Sequence, residues 1–269
     1  MKIFNNFNKP LTIVAISIGN SYVYRSSFFM RLIVLSISLA AQFFFWMAAF
    51  SNNSEIASYN FGEFFSYLFV ANLIYELLIP NNVMVSDQIR EGEISQYLVL
   101  PYEFMNFIYW KLLGDRISFL VNNIIPIIAG FFLLQLTSNI DLHISFLGSG
   151  YLLFYIIGGL TIHFFIDFSI GLLAFWFEKS DFLFIVKEII FRILAGLWFP
   201  FEILPKSLQT SFDWLPFQFL GYTPAKVFLN PEIASWWNFF LLIAWVLVFY
   251  VLNQVVWKLG IKKYEAFGA

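Results

Sequence analysis

Cysteine is absent from the sequence, which excludes disulfides, iron–sulfur ligation and thiol nucleophiles. Histidine occurs only at His143 and His163, too few for a histidine-based metal cluster. Charge is scarce: Asp, Glu, Lys and Arg make up 12% of the 269 residues, against roughly 25% in a soluble domain. No G-x-x-x-x-G-K-[ST] run is present, so the chain lacks a phosphate-binding loop of that kind. H-E-x-x-H and G-x-S-x-G are missing too, and Ser–His–Asp chemistry has no constellation. An enzyme acting alone is left without equipment.

Apolar residues fill the space that charge leaves. They make up 60% of the chain, with 37 Phe and 9 Trp. A soluble domain must cover its surface with polar groups, and this chain has too few, so much of its surface faces lipid. A membrane-spanning helix needs about 20 apolar residues. Six stretches qualify: residues 28–50, 61–79, 118–137, 151–175, 184–199 and 236–257, the fifth being the weakest. The fold class predicted is an all-α polytopic membrane protein with six transmembrane helices.

Basic residues orient the set. With the N-terminus inside, the inner segments hold Lys2, Lys9, Arg25, Arg31, Arg90, Lys111, Arg116, Lys179, Lys187, Lys258, Lys262 and Lys263. The outer segments hold Lys206 and Lys226, and Arg192 lies within the fifth stretch. An excess of basic residues marks the cytoplasmic side, so both termini are expected inside. Residues 1–27 lack the small-residue cleavage pattern of a signal peptide. Apolar Leu11, Val14, Ile18 and Tyr22 recur at helical spacing, which predicts an amphipathic surface helix rather than a disordered tail. The six-span domain then occupies 28–269.

Two connecting segments are long. The inner one, 81–117, contains VSDQIREGEISQYLVLPYEFMNFIYWKLLGDR. Val85 to Arg90 can form a short helix, Gly92 permits a turn, and a second helical piece ends before Pro101. Residues 101–116 read as an amphipathic approach to the third span. Apolar Ile89, Ile94 and Leu98 beside charged Arg90, Glu91 and Glu93 suit a docked elbow with a charged rim, although a solvated loop fits the same composition. The outer segment, 201–235, is rich in Phe, Leu and Trp and broken by Pro205, Pro216, Pro224 and Pro231. It is too apolar for a free loop and too broken for a span. Short helices at the interface or re-entering the bilayer fit it best.

Charges inside the spans are suspects for function. Asp167 sits deep in the fourth stretch, four residues after His163, and Glu188 and Arg192 share the same spacing in the fifth. An ion or substrate role for Asp167 and a packing bond both remain open, with packing favoured because no second acidic residue stands beside it for a relay.

Several motifs in order resemble a permease of the ABC-2 superfamily. They are the entry YVYRSSFFMRLI, the stretch IREGEISQYLVLPYEFMNFIY with Arg90, Gly92 and Pro101, and LLAFWFEKSD with Phe175 and Trp176. They continue with LWFPFEILPKSLQ, with LPFQFLGYTPAKVFLN through Pro216, Tyr222, Pro224 and Phe228, and with the tail VVWKLGIKKYEAFGA through Lys258, Gly260, Lys263, Tyr264 and Gly268. Asn230 stands where the family often has Gly, and Gly268–Ala269 where it often ends in Gly-Gly. The resemblance implies a permease subunit of an ATP-driven exporter in the bacterial inner membrane, moving an amphipathic or hydrophobic substrate. It implies no cofactor on this chain, with ATP and Mg bound by two separate ATPase subunits. A second permease chain, identical or related, and membrane lipid are the other expected partners, and nucleic acid is not one. It also implies an N-terminal amphipathic helix, a coupling helix in 81–117 carrying Arg90, Glu91, Gly92, Glu93, Ile94 and Leu98, and an outer re-entrant gate carrying Pro216, Tyr222, Pro224 and Phe228.

Overall fold

In a computed structural model the chain forms eleven α-helices among the described residues: α1 (Lys2–Ser21), α2 (Arg25–Phe50), α3 (Phe61–Leu78), α4 (Val83–Arg90), α5 (Ile94–Leu98), α6 (Phe104–Ser138), α7 (Phe146–Leu172), α8 (Asp181–Leu194), α9 (Lys206–Trp214), α10 (Tyr222–Leu229) and α11 (Trp236–Ile261). The structure describes residues 2–21, 25–79, 83–99, 102–138, 146–177 and 181–264. Of 2–8, 21, 25–29, 31–32, 83–84, 124–138, 146–149 and 181 it describes the backbone alone. Tyr22, Pro101, His143, Lys179 and Gly268, which the sequence reading used, lie outside these residues.

Among the described residues, four helices have apolar windows long enough to cross a bilayer: 33–50, 61–78, 150–175 and 236–261. The chain is an all-α, multi-pass membrane protein. Burial sorts these helices. The windows in α3 and α7 are 56% and 61% buried and form the centre, whereas those in α2 and α11 are 11% and 17% buried and lie at the periphery. Helices that are apolar all round belong inside. The exposed Ile37, Phe44 and Phe45 of α2 and Trp236, Phe240 and Val251 of α11 would be costly against water and are suited to lipid.

The ends of the elements follow local chemistry. Asn60 caps α3 in a reciprocal box: Glu63 N–H donates to Asn60 Oδ1 at 2.9 Å and Asn60 N–H to Glu63 Oε2 at 3.1 Å. Ser235 caps α11 through Trp237 N–H. The expected amphipathic approach and third span are one continuous helix, α6, of 35 residues. It is about 52 Å long and so extends well past a hydrocarbon core of about 30 Å. The first half of α6 carries α1, whose Ser17 hydroxyl donates to Lys111 O at 3.0 Å and also bonds Asp115.

The fifth stretch differs from its reading. Helix α8 ends at Leu194, five residues before the expected Phe199. Gly196 takes φ +72°. Its N–H bonds Ile193 O, and Leu197 N–H bonds Arg192 O at 3.0 Å. This paired pattern behind a left-handed residue is a Schellman ending. The chain then turns with its carbonyls directed away from any helix ladder. Tyr67 Oη donates to Gly196 O at 2.7 Å, Asn72 Nδ2 to Leu197 O at 2.9 Å, and Trp46 Nε1 to Trp198 O at 3.1 Å. A second polar pin joins α7 to α11. Asn253 Nδ2 donates to Phe165 O and Phe249 O, and its Oδ1 accepts from Ser169.

Replacing Asn72 by Leu (N72L) removes the donor from a buried carbonyl, and we expect a loss of about 1–3 kcal/mol. Gly196→Ala is expected to be worse. It strains a left-handed φ and sets a β-carbon 2.5 Å from Tyr67 Oη. Thermal unfolding of the purified chain in detergent measures both, and melting at the unmodified temperature would contradict the pinned turn.

Candidate functional site

Three assemblies hold the residues singled out by the sequence. The first is the elbow made by α4 and α5. Val85, Ile89 and Ile94 are buried against the ends of α7 and neighbouring elements. Arg90 pairs with Asp87 one turn earlier. Glu91 and Glu93 are exposed, and so is Leu98, which therefore does not anchor the elbow. Gly92 sits between the helices with φ +75°, a backbone that side chains with a β-carbon rarely adopt. Its carbonyl accepts from Ser95 N–H at 3.3 Å, Ser95 Oγ at 2.8 Å and Tyr264 Oη at 3.1 Å. Tyr264 follows the end of α11, and its ring meets Phe175 edge-on, with centroids 6.0 Å apart. Phe175 also packs on Trp257. One tyrosine thus ties the elbow turn to the ends of α7 and α11. A groove of about 350 Å³ lies beside it, lined by Tyr97, Leu98, Tyr102, Glu103, Gln254 and Trp257 among others. The sequence offered Tyr264 only as part of a tail motif. A contact spanning 172 positions leaves no local signature.

The second assembly is the buried charge cluster. Asp167 and His163 share a face of α7, 4.0 Å apart. Lys187 from α8 reaches between them, with Nζ 2.8 Å from Asp167 Oδ1 and 3.1 Å from His163 Nε2. Lys187 also lies 3.8 Å from Glu188, which pairs with Arg192 at 3.3 Å and accepts from Tyr75 Oη of α3 at 3.1 Å. Asp167 and Glu188 meet Lys187 and Arg192 here, and the buried Arg116 of α6 brings a further positive charge into range of His163. Lys187 therefore leaves the set of inner loop charges to which its sequence position had assigned it. Arg116 leaves as well, because it lies buried along α6.

The third assembly is the proline-rich segment 201–235. Pro216 opens a buried 3-10 turn over Pro216–Leu220, and Pro224 sits in the first turn of α10, where its missing N–H costs nothing. Phe219 stacks on Tyr155 of α7 at 6.1 Å, and Phe228 is half-buried. Tyr222 stacks on Phe201, with centroids 3.9 Å apart, and donates to Glu202 Oε1 at 3.0 Å. Lys226 Nζ donates to the same carboxylate oxygen at 2.7 Å and to Tyr59 Oη. Burial alone would raise the Glu202 carboxyl, but the Lys226 bond and charge outweigh it and hold it below its ordinary value. Burial likewise works against the Lys226 ammonium, and its bonds to Glu202 and Tyr59 outweigh that and raise it. Neither Glu202 nor Tyr59 stood out in the sequence, because the pairing spans 24 and 167 positions.

A family model described as ABC-2 family transporter protein matches residues 36–268. The chain belongs to this family. The permease is also similar to the protein named "Putative transport permease YvfS" of Bacillus subtilis (strain 168), at 28% identity over 74 residues. That match covers 26% of this chain and 30% of the relative, so it spans under a third of the relative's length. Membership makes the chain an ABC-2-type membrane permease.

Lys187→Met alone removes the cation 2.8 Å from a buried carboxylate and is expected to destabilise the permease by about 3–5 kcal/mol. The double variant D167N/K187M should regain most of that loss. Unfolding in sodium dodecyl sulfate measures both, and equal stability of the single and double variants would contradict pairing.

The Glu202–Lys226 clamp has its own pH window. Stability from Glu202, whose folded pKa is lowered, is present above its ordinary value and lost as pH falls through the folded one. Stability from Lys226, whose folded pKa is raised, is present below its ordinary value and lost as pH rises through the folded one. Proteolytic cutting within 201–235 should therefore stay flat between pH 5.5 and 9 (about one unit inside each ordinary value) and rise only outside it. A step near neutrality would contradict the clamp.

Proposed function

We propose that the chain is the membrane permease subunit of an ATP-driven exporter, working with separate ATPase subunits that bind ATP and Mg and with a second permease chain. Family membership supports the class. The observation that carries the coupling role is the elbow: two short helices with a buried apolar side and an exposed acidic rim, joined at a left-handed Gly92 and bonded through Tyr264 to the ends of α7 and α11. A push on such an elbow moves two membrane helices together rather than bending a loop. Closure of the ATPase pair on Arg90, Glu91, Gly92, Glu93 and Leu98, with buried Ile94 anchoring the elbow from beneath, then biases the permease between inward-open and closed states. The chain does no covalent chemistry.

Six crossings complete the architecture: α2, α3, α6, α7, α8 with the turn after it, and α11. Helix α8 has 14 residues and rises about 21 Å, less than the hydrocarbon thickness. The packed segment 201–235 fills the remaining depth as a re-entrant gate built around Pro216, Tyr222, Pro224 and Phe228. With Arg116 and Lys187 set aside, ten basic residues still fall on the side of the elbow and the termini, against Lys206 and Lys226 on the other. That asymmetry favours cytoplasmic termini, α1 lying at the inner surface, and an elbow where ATP is available. Residence in a bacterial cytoplasmic membrane and an amphipathic or hydrophobic cargo complete the reading. The buried ion pair of Asp167 with Lys187 on a neighbouring helix supports packing over ion coupling.

The test uses the tagged permease with its co-purifying ATPase in proteoliposomes. Gly92→Val and Arg90→Glu should insert normally but lose most stimulation of hydrolysis. Tyr264→Phe, which removes one hydrogen bond worth about 1 kcal/mol, should lower coupling about fivefold. Unmodified coupling and export in all three would reduce the elbow to a loop. Stimulated hydrolysis with no movement of solute would favour a membrane scaffold.

A further inference from the structure

The proline-rich segment and the loop between α2 and α3 enclose an open cleft of about 700 Å³ that the coupling argument does not use. Its rim is a tight hairpin. Ile56 and Tyr59 exchange backbone hydrogen bonds, both 3.0 Å, across Ala57 and Ser58. Those two residues take φ +51° and +66° with no glycine, a strain of about 1–2 kcal/mol each. Strain of this kind collects where a side chain must be held in place. Here the hairpin presents Tyr59, whose ring lies 5.0 Å from the Lys226 ammonium.

The unused hydrogen-bonding capacity defines the ligand. Glu63 spends one oxygen on the α3 cap and keeps the other. Asn230 spends its oxygen on Glu232 N–H, leaving its amide N–H donors. Lys226 has three donors, of which Glu202 and Tyr59 take two. At the floor Ser66 is fully buried, and its hydroxyl makes no hydrogen bond. A buried hydroxyl without a partner is uncommon and calls for one. Two carboxylates against one ammonium give the cleft a net charge of −1, which repels phosphate and carboxylate groups. An ammonium ligand would satisfy the carboxylates but could accept nothing from Asn230, Lys226 or Ser66. A group rich in hydroxyls both donates and accepts.

We infer that this cleft binds an uncharged polyhydroxyl group, a glycosyl or polyol moiety, carried on a lipid or free. The binding is a property of the folded chain and needs no ATPase, so its failure leaves the exporter reading untouched.

Native mass spectrometry of the full chain released from nanodiscs tests it. The discs contain equal amounts of monoglucosyl diacylglycerol, phosphatidylethanolamine and phosphatidylglycerol. The glucolipid should be retained about tenfold over the other two, the equivalent of one or two net hydrogen bonds. Asn230→Asp keeps the cap acceptor but inverts the donor, and Ser66→Ala removes the orphan hydroxyl. Both should bring retention towards parity, and Ser66→Ala should do so without lowering the melting temperature. Displacement by millimolar glucose identifies a free sugar as sufficient, and resistance to it identifies a lipid-borne one. Both results uphold hydroxyl recognition. Preference for phosphatidylethanolamine or phosphatidylglycerol overturns it, as does the absence of any headgroup preference. Retention that ignores both substitutions overturns it too.

Discussion

A backbone that leaves a helix inside a packed core must find partners for its carbonyls, and in this permease that requirement falls on the turn after α8. A buried carbonyl left without a donor costs about 1–3 kcal/mol. The turn is possible because α3 supplies Tyr67 and Asn72 and α2 supplies Trp46 as donors. Much of the architecture follows. Helix α3 must lie against the turn, so it becomes central and buried. Once α8 stops at the turn, the proline-rich segment can fold back over α3 and α7. Its prolines are tolerated because they sit in first turns or open 3-10 turns.

The same helices carry the charged parts. α3 lends Tyr75 to Glu188, and α7 lends Asp167 to Lys187, so α8 is held by hydrogen bonds and ion pairs at successive levels. Such contacts specify one arrangement more sharply than apolar packing, which lipid tails can imitate. The far ends of α7 and α11 are joined by Tyr264 and Phe175 to the Gly92 turn. A displacement at the elbow therefore has a physical route into the helices that bear the proline-rich segment, through packed side chains and not through a flexible linker.

Legibility in the sequence followed the range of the interaction. Apolar runs placed α2, α3, α7 and α11 within a few residues, because lipid exposure acts on composition alone. Gly92 and the short helices around it were readable from local turn chemistry. The end of α8 falls short of the expected Phe199 because the apolar run continues past Gly196, whose left-handed backbone stops the helix. Lys187 and Arg116 read as loop charges and proved buried, because their partners and coverings lie on other helices. Tyr59, Glu202 and Lys226 meet only after the chain folds back, and nothing in their spacing announces it.

The central claim is that the elbow meets a cytoplasmic engine. Because the chain has no cysteine, Glu91→Cys supplies a single label on the exposed rim of the turn. In sealed, right-side-out cells a membrane-impermeant maleimide should leave it unmodified, and after permeabilisation a short bifunctional crosslinker should join it to the ATPase subunit. Labelling from outside the intact cell would contradict the account, because it would put the elbow on the side where no ATPase can reach it.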